Sequence, residues 1–246
     1  MTSVLLEVCV DDAEGLDAAI RGGGDRIELC SALGLGGLTP SPGLMRRAAT
    51  APVPVYAMIR PRAGGFVFDG ADVAVMEDDI DAAREAGLGG VVLGASRHDG
   101  RLDAAVLERL VRRADGLGLT LHRAFDLVPD FAEALEVAVG LGFERVLTSG
   151  GASAAVEGAV GLRASFAAAR GRIVIMPGSG VTADNFDALR AIIPLREVHA
   201  SCSERLPEGR GRIATLGFEG RNPRRTSAES VIRLKSRCST SAAVAI

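Results

Sequence analysis

Tryptophan is absent from this chain of 246 residues, tyrosine occurs once and phenylalanine eight times. A core so poor in rings must rest on Val, Ile, Leu and Ala, the usual filling of parallel sheets covered by helices. Basic residues are not in excess: the formal charge is −3 and the pI is near 5.7. That removes the electrostatic basis for nucleic acid binding. No run approaches the roughly 20 apolar residues needed to span a bilayer. The opening segment, Met1 to Glu7, has no basic stretch and meets a carboxylate too early for a signal peptide. The four cysteines, at 9, 30, 202 and 238, form no Cys-x-x-Cys and no regular framework. Reduced thiols fit that spacing better than disulfides. Together these absences lead us to expect a soluble, cytoplasmic protein without a membrane or nucleic-acid partner.

What is present is strand and helix in strict alternation. Hydrophobic residues make up 48% of the chain and glycine contributes 31 positions. Short apolar runs at Val4–Val10, Asp25–Cys30, Val53–Arg62 and Gly90–Gly94 read as strands. Four more follow at Leu119–Asp126, Arg145–Gly150, Ile173–Gly180 and Glu197–Cys202. Ala-rich or amphipathic segments separate them, including a long one over 153–170 and another over 182–191. A Thr226-x-x-Glu229 capping box would open a last helix to about Arg237. Eight strands with eight helices, and no linker, predict a single (β/α)8 TIM barrel over residues 1–246. A doubly wound sheet would place a Gly-rich turn after the first strand, where this chain has Asp11-Asp12. Residues 203–225 read as an irregular Arg- and Gly-rich loop, and 239–246 as a frayed tail.

Side chains two apart share a face of a strand. Alternation therefore aligns Glu7 with Cys9, Glu28 with Cys30, and Met58 with Arg60 and Arg62. It also aligns Thr120, His122 and Asp126, leaving Arg123 and Phe125 toward the helices, and aligns Glu197, His199 and Ser201. So much polarity on one face of buried strands is costly unless paired, or unless it lines a site. A paired network, for instance Glu28 with Arg60, is the structural alternative to a ligand pocket. As a pocket, the set suits acid/base chemistry, with Glu7, Glu28, His122, Asp126 and His199 as candidates. Arg60 and Arg62, with the loops at Ser149 and Gly178–Gly180, would hold a small anion; ordinary tight turns would account equally for the glycines. Cys9 and Cys30 end neighbouring strands on one inferred face, so their thiols could approach one another as soft ligands for Cu(I), or simply fill the core.

Several motifs taken in order resemble the CutC family of copper homeostasis proteins. They are Leu5-Leu-Glu-Val-Cys9, Asp25-Arg-Ile-Glu-Leu-Cys30, Gly36-Gly-Leu-Thr-Pro-Ser41, Ile59-Arg-Pro-Arg62 and His122-Arg-Ala-Phe-Asp126, then Leu147-Thr-Ser-Gly150, Gly178-Ser-Gly-Val181 and Glu197-Val-His199. The resemblance implies a TIM barrel, a cytoplasmic location, self-association into a homo-oligomer and a role in handling or binding copper. Cys9 and Cys30 fall where the family pattern also has cysteine; Cys202 does not, and the match fades after Ser203. Two readings follow: a copper-binding protein using Cys9 and Cys30, or a barrel enzyme acting on a small phosphorylated or sugar-like anion, linked to copper only indirectly.

Overall fold

A computed structural model describes residues 3–207, 212–216, 218 and 223–239. Strand β1 (Leu5–Val10) leads into α1 (Ala13–Arg21), β2 (Arg26–Leu29) into α2 (Pro42–Ala48), and β3 (Val55–Met58) into α3 (Gly70–Glu85). The alternation continues with β4 (Gly90–Leu93), α4 (Ala104–Arg113), β5 (Gly118–Leu121) and α5 (Phe131–Gly140). Then come β6 (Arg145–Thr148), α6 (Ala159–Ala169), β7 (Val174–Pro177), α7 (Phe186–Ile192) and β8 (Glu197–Ala200). An arm of β9 (Ser203–Arg205), α8 (Arg212–Thr215) and β10 (Arg224–Thr226) precedes the last helix, α9 (Ala228–Ser239). No helix among the described residues is long and apolar enough to cross a membrane.

The eight strands β1 to β8 are parallel, in the order β7-β6-β5-β4-β3-β2-β1-β8. The two ends of that sheet meet, since a Cβ added at Gly178, just past β7, would lie 3.2 Å from the His199 Cβ on β8. This is the (β/α)8 barrel expected from the alternation. Period-two patterning then divides each strand. Leu6, Val8 and Val10 join the large core between sheet and helices, whereas Glu7 and Cys9 turn into the lumen. Aspartates start four of the helices: Asp12, Asp69, Asp103 and Asp130 each accept backbone N–H groups at the heads of α1, α3, α4 and α5. Such caps contribute about 1 kcal/mol apiece.

Several boundaries depart from the pattern, each for a local reason. The helix expected from 153 begins only at Ala159. Gly158 passes so close to the β6 loop that an added Cβ would sit 1.8 Å from the Ser149 carbonyl oxygen. The helix expected from Thr182 begins at Phe186, because Asn185 Oδ1 first closes a turn on the Thr182 N–H at 2.9 Å. Strand β5 stops at Leu121, and Arg123–Leu127 forms a 3-10 turn capped by His122. Period-two alternation therefore does not extend to Arg123 and Asp126. In the stretch read as an irregular loop, β9 and β10 pair antiparallel, with Thr226 opposite Ser203. That pairing occupies Thr226, so the cap of α9 passes to Ser227, whose Oγ accepts the Ser230 N–H. Helix α9 buries Val231, Leu234 and Cys238, and Lys235 pairs with Asp25 at 2.6 Å. Ser239 closes that helix, and the rest of the tail, 240–246, lies outside the described residues.

The chain's one tyrosine, Tyr56 on β3, puts a phenol ring into the lumen. Strands β4 and β5 make room by opening on glycine: a Cβ at Gly90 would meet the ring at 2.5 Å, and one at Gly118 the hydroxyl at 2.0 Å. At Gly90 the Gly118 carbonyl oxygen, at 2.6 Å, bars the other way out. We expect Gly90→Ala to destabilise the barrel by about 1–3 kcal/mol, the usual cost of overpacking, measured as a lower denaturation midpoint at unchanged m-value.

Candidate functional site

Near the N-terminal ends of its strands the lumen is filled by charge in alternating sign. Glu7, with no exposure to water, accepts from Arg26 Nε and, at 2.9 Å, from His199 Nδ1. The register requires this meeting, because Glu7 stands opposite Arg26 on β2 and opposite His199 on β8. Arg26 also donates to Glu197, which takes a second bond at 3.0 Å from Arg145. Arg145 reaches Thr120 at 3.1 Å and pairs with Glu144 at 2.8 Å. Tyr56 lies under both guanidiniums, at 5.4 Å from Arg26 Cζ and 5.1 Å from Arg145 Cζ, and its hydroxyl donates to Glu144. Burial opposes the Glu7 charge, yet the His199 hydrogen bond and Arg26 hold its pKa down to about 2. Burial also opposes the His199 charge, but Glu28, Cys9 and Glu7 together lift its pKa well above the usual imidazole range.

Above this floor, toward the C-terminal ends of the strands, three donor atoms converge. A Cys9 Sγ, a Glu28 carboxylate oxygen and a His199 ring nitrogen lie within 4.8 Å of one another, all buried. Glu7 fixes Nδ1 of His199, so Nε2 faces Glu28 at 3.7 Å. A carboxylate orienting a histidine for a further ligand is a common second layer of metal sites. Glu28 Oε1 has no hydrogen-bond partner. Burial and the neighbouring Glu7 raise the Glu28 pKa, while His199 and Arg26 oppose the rise. Sulfur, imidazole and a carboxylate oxygen, with one oxygen still unmatched, form a set that fits a soft or borderline metal ion.

The trio opens into a cavity of about 710 Å3 at the barrel mouth. Arg60, Phe66 and His122 form another part of its wall, and Cys202 and Arg224 bring the C-terminal segment to it. His122 Nδ1 accepts the Ala124 N–H at 3.1 Å, so its proton resides on Nε2. Burial, aided by Arg60, pushes its pKa down to about 3 and keeps the ring neutral. Five buried side-chain polar atoms among the described residues lack a hydrogen-bond partner. Three of them, Glu28 Oε1, Arg60 Nε and His122 Nε2, belong to residues that line this cavity. Buried polar atoms are seldom left unpaired, so this concentration marks a place for a ligand.

The residues singled out from sequence thus divide. Glu7, Cys9, Glu28 and His199 come together, with Arg60, His122 and Gly180 around the same cavity. Cys30 lies to one side: its thiol donates to Glu28 at 3.6 Å and packs with Tyr56, Met58 and Val92. No Glu28–Arg60 pair forms among the described residues; Arg60 binds backbone carbonyls instead. Arg62 turns outward to Asp72, and Ser149 is tied to Asp126. Gly178 serves packing, since a Cβ there would sit 2.4 Å from Leu147. Asp126 is spent holding the β6 loop through Thr148, Ser149 and Gly151. Arg123, expected toward the helices, reaches the cavity wall because the 3-10 turn rotates it there. Arg26, Arg145 and Tyr56 were not anticipated, although Arg26 stands two residues before Glu28, and the alternation that selected Glu28 selects it too.

The CutC family profile matches residues 4–204. The chain belongs to the CutC family. A CutC family protein of Sinorhizobium medicae is 62% identical over 231 residues, covering 94% of each chain. One from Caulobacter vibrioides is 54% identical over 230 residues, covering 93% of this chain and 94% of the other. A Streptococcus agalactiae chain, described provisionally as the copper homeostasis protein CutC, has a crystal structure that superposes with a TM-score of 0.77. It is 32% identical and covers 80% of this chain and 98% of its own. More distant barrels, such as a thiamine phosphate pyrophosphorylase from Pyrococcus furiosus at 13% identity and TM-score 0.57, share the fold.

The low pKa of Glu7 makes stability depend on acid. Its carboxylate would titrate near 4.5 in the unfolded chain and near 2 in the folded one. The stabilisation it contributes is therefore complete above about pH 4.5 and lost as pH falls through 2, an amount on the order of 3 kcal/mol. Glu7→Gln should lower stability at pH 7 and remove this part of the acid dependence, as read from urea midpoints between pH 7 and pH 3.

Proposed function

We propose that this CutC family member handles copper, taking one Cu(I) ion as cargo on Cys9 Sγ and His199 Nε2, with Glu28 as the third donor. The observation that carries this reading is the convergence of those three groups within 4.8 Å on the wall of an accessible cavity. Thiolate and imidazole are the donors Cu(I) prefers. The name of the S. agalactiae relative supplies the link to copper among the metals such a set would accept. Four unpaired cysteines suit a reducing compartment, and we assign the protein to the cytoplasm on that ground.

The arrangement explains how such a site would load and release its cargo. Burial raises the Cys9 thiol above its ordinary pKa, so the free site holds protons rather than an exposed thiolate. A metal ion must displace the protons of Cys9 and His199, and its charge then balances the acids around it. Affinity should therefore rise with pH as proton competition weakens. Glu7 keeps the imidazole aimed, and Cys30 remains outside the set, its thiol donating to the Glu28 oxygen that faces His199.

Titration of reduced, oxygen-free protein with Cu(I) against a chromogenic Cu(I) chelator should show one equivalent bound. Cys9→Ser and His199→Ala should each weaken binding by about 100-fold, and Cys30→Ser by less than about threefold. Tight binding that survives Cys9→Ser would overturn the assignment.

A further inference from the structure

Arg60 and His122 carry polar hydrogens that the copper reading does not use. Arg60 follows β3 and spends its terminal nitrogens on backbone. Nη1 donates to the Leu35 and Gly37 carbonyls, each at 2.9 Å, and Nη2 to the Gly64 carbonyl at 2.7 Å. Carbonyl oxygens hold a guanidinium in place without neutralising it, and no carboxylate among the described residues compensates this one. Its Nε–H is left buried without a partner. The His122 ring is fixed as a one-way donor: Nδ1 is occupied by the Ala124 N–H, and Nε2–H has no acceptor.

Phe66 joins the two groups. Its ring centre lies 4.7 Å from that of His122 and 5.1 Å from Arg60 Cζ. The loop that carries it is tied down where Ser96 N–H donates to the Phe66 carbonyl at 2.8 Å. All three side chains line the mouth cavity. An uncompensated buried cation, a neutral donor and an aromatic face at an open cavity together call for an anion.

We infer that this wall is a binding site for a small organic carboxylate, whose oxygens take the Arg60 Nε–H and His122 Nε2–H while its body lies beside Phe66. One positive charge with two single donors matches a carboxylate monoanion. A phosphate dianion would bring more charge and more acceptor oxygens than this wall satisfies. The site takes its donors from just past the C-terminal ends of β3 and β5, apart from the Cys9–Glu28–His199 group on β1, β2 and β8, and it requires no metal.

The test uses the whole chain kept free of copper by a chelator, so its outcome is separate from the copper reading. Pyruvate is the probe, with its uncharged methyl ester and inorganic phosphate as comparisons. Calorimetry should show saturable pyruvate binding that Arg60→Gln and His122→Phe each weaken by roughly tenfold or more, the usual loss for a charge-assisted or buried bond. In the unaltered protein, labelled with 15N-histidine, the His122 Nε2–H resonance should shift on adding pyruvate and remain in place on adding the ester. This readout does not depend on either variant folding. Equal binding of the ester, preferential binding of phosphate, an unmoved His122 signal, or no saturation with pyruvate at millimolar concentrations would each overturn the proposal.

Discussion

Glu7 is the charge on which the interior depends. It sits on the first strand with no access to water, and the parallel register places a cation against it from each neighbouring strand. Remove it, and Arg26 and His199 remain as two buried groups of like charge with no shared partner, the situation that costs several kcal/mol when a buried pair is broken. It also decides which nitrogen of His199 faces the cavity. A single carboxylate thereby links the packing of three strands to the chemistry at the barrel mouth. The Arg26–Glu197–Arg145–Glu144 chain extends the same compensation across the lumen, so that the strands enclose charge without an excess of either sign.

Glycine supplies the space for this polar interior. Gly90 and Gly118 clear the volume that Tyr56 fills, and a Cβ at Gly94 would lie 2.5 Å from the His122 ring. Gly178 does the same beside His199. A lumen lined uniformly with branched apolar side chains would leave no room for two guanidiniums, a phenol and two imidazoles.

The barrel was legible because it depends on local signals: eight apolar runs, helices opened by Asp or Ser, and strands begun after glycine. Period-two alternation located Glu7, Cys9, Glu28 and His199, since each lies on a regular strand. It failed beyond Leu121, where backbone leaves the strand conformation and the inward sequence of side chains is no longer periodic. It also could not show which members of the lumen set meet. Cys9 and Cys30 shared an inferred face, but the pairing places Cys9 opposite Glu28, and Cys30 falls two residues further along. Arg62 and Asp126 looked equivalent to Arg60 and His122 in sequence, and they differ only in the partners that three-dimensional packing gives them. The pairing of β9 with β10 was hidden because residues 203 and 226 are brought together by a long excursion without periodicity.

All four thiols are buried, and burial raises the pKa of each above its usual value. Thiolate, the reactive species, is accordingly scarce while the chain is folded. The cysteines then act as built-in clocks for motion. Cys9 and Cys202 border the cavity, so alkylation there times the access of small molecules through the mouth. Cys238 is locked between α9 and the barrel, and its alkylation times the detachment of that last helix.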